Sequence, residues 1–206
     1  MTTLRAALCA VLLLALGGCI SLFPKSPPAQ LYRFGVAATA AQPPAGATFN
    51  VIHMSTGFTL PAEGDRILTT NGTEAAYISA ARWDAPASTL FDEAEQQAFD
   101  QSGGAARLLH HGDPAVAPVS LTLDVQSFEA RYSGDPKAAP TVVVTVHAML
   151  ASAVDRKILG DQTFVSRAPA ADNRVGAIVD AFDSATTDVL NQIVGWAGQR
   201  GANAGA

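Results

Sequence analysis

The chain has 206 residues, 49 % of them hydrophobic and 15 % charged, with a formal net charge of −5. That length suits one domain with tails, and it can bury a core without a metal or disulfide staple. Thirteen lysines and arginines in an acidic chain argue against a nucleic-acid partner and against electrostatic docking to anionic lipid.

The first segment explains how such a chain could be held at a membrane. Arg5 precedes an unbroken apolar run from Ala6 to Leu16, and the small residues Gly17 and Gly18 then lead to Cys19. A positive charge, a short apolar run and small residues before a cut are the parts of a secretory signal. The run is too short to span a bilayer, which takes about 20 residues. Leu16-Gly17-Gly18-Cys19 resembles the bacterial lipobox, which implies cleavage between Gly18 and Cys19 and a diacylglycerol thioether on the Cys19 sulfur. Cys9 leaves with the signal, so the mature chain keeps Cys19 alone and forms no internal disulfide. One acyl chain binds membranes marginally, whereas two or more hold firmly. Ile20 and Ser21 follow, with no Asp directly after Cys19. By resemblance to lipoprotein sorting signals in Gram-negative bacteria, this implies the periplasmic face of the outer membrane.

The mature chain reads as a lipidated, Pro-rich tether (19–30), an α/β domain (31–197) and a flexible small-residue tail (198–206). Leu31 to Val36 and Thr48 to Met54 alternate as strands, with a Pro/Ala/Gly loop between them. Arg66 to Thr70 and Thr73 to Ala81 flank Asn71-Gly72, a two-residue hairpin signal. After Pro86, Ser88 or Thr89 is a candidate cap for a helix that runs to about Gln101 and lines one side with Leu90, Phe91, Ala94 and Ala98. Ala106 to His110, the alternating run Val119 to Val125, Thr141 to Leu150 and Ile158 to Ser166 are further strands. Val175, Ile178, Val179, Phe182, Thr186, Val189, Leu190, Ile193 and Trp196 recur every three or four residues. They predict a long helix, capped by Asp172 or Asn173, lying on a sheet. Strand, helix and strand around Trp83 to Leu109 predict one parallel crossover, and the later strands predict antiparallel hairpins. The expected fold class is α/β, a compact mixed sheet with two main helices packed on it.

Catalytic patterns are missing. There is no HExxH, CxxC, GxSxG or phosphate-loop motif. Of the histidines His53, His110, His111 and His147, the adjacent pair would point to opposite faces of a strand and could not share an ion. Asp92, Glu93 and Glu95 read as the solvated face of the first helix rather than as acid/base groups. No cofactor or metal is expected beyond the lipid on Cys19. Tyr77 to Pro86 is an aromatic strand ending in Arg82-Trp83. Its readings are a core tryptophan beside an arginine paired with a carboxylate, or a partner-facing anchor, since Trp and Arg favour interface hot spots.

A lipobox, Leu31-Tyr32-Arg33-Phe34, the segment Ala81-Arg82-Trp83-Asp84-Ala85-Pro86, a helix, Leu121 and Leu123 before Phe128, and a C-terminal helix with Trp196 occur here in that order. Together they resemble the ABC-type transport auxiliary lipoprotein family. The resemblance covers nearly the whole mature chain. It implies a non-catalytic domain similar to the N-terminal domain of TolB, serving an ABC transporter and a periplasmic MCE-domain protein in intermembrane lipid transport. It brings no catalytic motif. Arg82 and Trp83 are the candidate partner interface, and ring-like self-association would suit a part that meets a tubular conduit. The alternatives are a pilotin-like assembly lipoprotein of another envelope complex, and a lipid carrier with its own cavity.

Overall fold

The computed structural model describes residues 28–35, 46–109 and 112–202. Its elements are β1 (Gln30–Tyr32), β2 (Phe49–Phe58), β3 (Arg66–Asn71), β4 (Glu74–Trp83), α1 (Ala87–Gln101), β5 (Ala106–Leu109), β6 (Val119–Tyr132), β7 (Thr141–Ser152), β8 (Ile158–Pro169) and α2 (Val175–Ala202). The signal and Cys19, the centre of the Pro/Ala/Gly loop, His110 and His111 lie outside the described residues.

β6 organises the sheet. Its first half pairs in parallel with β2, from Val51↔Val119 to Phe58↔Val125, and its second half in parallel with β3, from Thr69↔Ala130 to Asn71↔Tyr132. β2 and β3 therefore share one edge of β6, end to end. The other edge takes β7 antiparallel, and β7 takes β8 antiparallel, which are the two hairpins expected from the sequence. β4 folds back on β3, β1 adds in parallel to β4, and β5 adds in parallel to β2. The result is an eight-stranded mixed sheet with two helices, the α/β class that the residue periodicities predict.

The helices cover the face that the alternation makes apolar. Val119, Leu121, Leu123 and Val125 on β6 are buried together with Val142, Val144, Val146, Ala148 and Leu150 on β7. Side chains two apart on a strand share a face, so these residues form a continuous apolar floor. α2 lays Ile178, Phe182, Ala185, Val189 and Ile193 on that floor, and α1 adds Leu90, Phe91, Ala94 and Phe99. The opposite face is left uncovered by the helices and mixes polar with apolar residues. There Ile52, Met54, Met149 and Ile158 border an open hollow of about 600 Å³.

Several local expectations shift. β4 and β5 are not neighbours: both edges of β4 are occupied, by β1 and β3, and β5 joins β2 instead. β4 is antiparallel to β3, while β3, β2 and β5 share one direction through β6, so no parallel crossover joins β4 to β5. The hairpin pairs Asn71 with Glu74, which puts Gly72 (φ 61°) and Thr73 in the turn. Asn71 instead exchanges two hydrogen bonds with the backbone of Gly134, at 3.0 and 3.1 Å. α1 starts one residue earlier than Ser88, with Pro86 at the N-cap and no side-chain cap. The Asn173 side chain does not cap α2. It accepts from the Tyr132 hydroxyl at 2.8 Å and donates to the Pro136 carbonyl at 2.9 Å. α2 continues to Ala202 through residues assigned to the tail, and Gly201 lies buried against the Phe49 ring.

Candidate functional site

The Arg82-Trp83 segment lies at the end of β4, beside the N-terminal strand β1. β1 pairs Leu31 with Arg82 and Tyr32 with Trp83, which fixes the N-terminal strand to the end of β4. Alternation along β4 sends the two side chains to opposite faces. Trp83 points inward and is 2 % exposed. Its ring meets Phe34 edge-on at 5.0 Å and Phe182 at 5.3 Å, with Phe128 at 6.4 Å. Contact between this ring and a partner is excluded by that burial. The core reading of Trp83 is correct, and any interface role of this residue is support from beneath.

Arg82 points outward and donates from one guanidinium nitrogen to both carboxylate oxygens of Asp65, each at 2.9 Å. It pairs with a carboxylate and does not stack on Trp83. Beside it, Arg33 bridges Asp84 at 2.7 Å and Glu93 at 2.9 Å. Its hydrogen bond to Asp84 holds the Arg33 guanidinium above its ordinary pKa. Leu31 and Leu60 are largely exposed. The edge beside β1 thus carries exposed ion pairs and the exposed Leu31 over an aromatic floor. Gly35 follows with φ 70°, donating its N–H to Asp183 Oδ1 on α2 at 2.7 Å. A Cβ there would stand 2.7 Å from the Ala94 Cβ of α1, so this position needs glycine both for its backbone and for its space.

A second site was missed by the sequence reading. Glu95 is 0 % exposed, not solvated, and its carboxylate lies 3.0 Å from His53 Nδ1. Asp92, one turn earlier on α1, is also partly buried, and its Oδ1 is a buried atom with no hydrogen-bond partner among the described residues. Residues three apart on a helix share a face, so both carboxylates of α1 turn towards β2. Hydrogen bonding to Glu95 holds the His53 imidazole above its ordinary pKa, against the opposing effect of burial, with the charges of Glu95 and Asp92 adding to the rise. His53, Asp92 and Glu95 each offer one ligand atom, and these atoms all lie within 4.8 Å of one another. The signal was present: Glu95 falls between Phe91 and Phe99 at four-residue spacing, inside the apolar stripe of α1. His147, by contrast, pairs with Asp161 at 2.6 Å on a half-exposed part of β7 and β8.

No described helix is long and apolar enough to cross a membrane. The mixed sheet under two helices is shared by solved structures. A Xanthomonas campestris protein of the DUF330 family superposes with a TM-score of 0.73 at 22 % identity, covering 85 % of this chain and 98 % of that one. An uncharacterized protein superposes with a TM-score of 0.64 at 10 % identity, covering 82 % and 99 %. No curated protein matches the chain. The model of the ABC-type transport auxiliary lipoprotein component family matches residues 62–194. The chain belongs to that family.

Proposed function

We propose that this chain is a non-catalytic, outer-membrane lipoprotein that serves an ABC transport system by docking its periplasmic MCE-domain conduit, the cargo being phospholipid. Membership of the transport auxiliary lipoprotein family carries this reading. Acylation of Cys19 supplies the anchor, since a chain this acidic has no charge attraction to anionic lipid. The exposed end of β4 with Arg82 contacts the conduit, with Trp83 fixing the strand from below. Copies of the chain self-associate around a tubular partner.

Affinity capture from a detergent extract tests the partner. The wild-type lipoprotein is expected to recover an MCE-domain protein, and its absence would overturn the docking role. Membrane fractionation with intact-mass analysis tests the anchor: a triacylated residue 19 in the outer-membrane fraction is expected, and a bare thiol there refutes it.

A further inference from the structure

We infer that His53, Asp92 and Glu95 form a divalent-metal site, with Zn²⁺ the best-fitting ion, that ties the middle of α1 to β2. The donor set is one imidazole nitrogen and two carboxylates, which suits first-row divalent ions with mixed nitrogen and oxygen ligands. Three protein ligands leave a fourth position for water, the pattern of an open four-coordinate zinc site.

The geometry is nearly assembled. Zinc bonds of about 2.0–2.1 Å place tetrahedral ligand atoms roughly 3.4 Å apart. His53 Nδ1 and Glu95 Oε2 are 3.0 Å apart, and the three ligand atoms all fall within 4.8 Å. The remaining adjustment is a small swing of Asp92, which is the least buried of the two acids. Asp92 Oδ1, a buried oxygen accepting no hydrogen bond among the described residues, is the atom placed to take the ion. Charge points the same way. Two carboxylates converge there on one imidazole, and a divalent ion would supply two positive charges to answer them. The residues come from two elements that are far apart in sequence, so binding fixes α1 on the sheet rather than merely ordering a loop.

The test uses the full chain, purified in detergent and stripped with EDTA. Calorimetric titration with ZnCl₂ should give one ion per chain, and metal at a hundredfold excess over Kd should raise Tm by about 5 °C or more. Asp92→Asn preserves shape at a partly exposed position and should weaken binding at least tenfold, as should Glu95→Gln. Zinc should also shift the imidazole nitrogen signals of His53 in NMR spectra, a readout independent of whether the Glu95 variant folds. The proposal is overturned if no saturable one-to-one binding occurs. It is equally overturned if Asp92→Asn retains wild-type affinity, or if zinc leaves the His53 signals unmoved while shifting those of His147, because the ion then sits elsewhere.

Discussion

Two buried regions under the helices are built from opposite chemistry. Around Trp83, the rings of Phe34, Phe128 and Phe182 meet at centroid distances of 4.8–6.4 Å with varied tilts, and no polar side chain is needed to complete the cluster. Around Glu95, a wholly buried carboxylate, a partly buried aspartate and an imidazole occupy the same layer between α1 and β2. The first region gains from burial directly, since aromatic pairs add about 0.5–1.5 kcal/mol each beyond the area they hide. The second stays folded only while its charges answer one another. Stability is therefore cumulative in one region and conditional in the other.

The largest expected effect lies in the aromatic region. Trp83→Ala should lower unfolding stability by about 3–5 kcal/mol, read from chemical denaturation, because it opens a cavity bounded by three rings. A loss below about 1 kcal/mol would mean that the cluster is not tightly packed. In the polar region, His53→Ala in metal-free protein should cost about 3 kcal/mol by leaving a buried carboxylate without its imidazole. A His53→Leu, Glu95→Met double variant should cost less than the sum of the two single changes, with a coupling of about 1–3 kcal/mol. Additive costs would show that the two residues do not act as a pair.

The pair also carries a pH signature that the aromatic region lacks. The folded-state pKa of His53 is raised above its unfolded value, chiefly by the hydrogen bond to Glu95. Its contribution is fully present below the unfolded value near 6.5 and is lost as pH rises through the folded value. Unfolding free energy of the metal-free wild type should therefore fall across that interval, and Glu95→Gln should flatten the fall. Gly35→Ala, which joins the two regions through Ala94, should cost about 2–3 kcal/mol from left-handed backbone strain and crowding together. A neutral result would mean that α1 can slide to admit a methyl group.

The contrast also explains what was legible in the sequence. Val119, Leu121, Leu123 and Val125 announce their strand because a period of two needs no knowledge of the partner. The α2 stripe is equally local, which is why Ile178 to Ile193 land in the core as expected. Glu95 was misread as solvated because its burial depends on His53, which the sheet brings across from β2. Its place inside the apolar stripe of α1 was the clue, overridden by the usual expectation that acids face water. Residues 198–202, expected as part of the tail, are helical for a related reason, while 203–206 lie outside the described residues. Gly198 and Gly201 disfavour helix locally, yet the packing of Gly201 on Phe49 carries α2 to Ala202. Crossover direction was unreadable because pairing choices among β1, β3 and β5 are settled by the whole sheet.

The smallest stability effect separates folding from docking at the end of β4 beside β1. Arg82 and Asp65 are both about half exposed, with side-chain exposures of 45 % and 47 %. An ion pair in that setting contributes roughly 0–1 kcal/mol, because water screens it and two mobile side chains must be ordered. Arg82→Ala should therefore leave the denaturation midpoint nearly unchanged while lowering recovery of the conduit protein in affinity capture. Trp83→Ala would lower recovery too, but only by unfolding the strand that presents Arg82, and its midpoint would fall in parallel. If Arg82→Ala is folded and recovers the partner as well as wild type does, docking uses another surface and Arg82 serves only to hold the loop at Asp65.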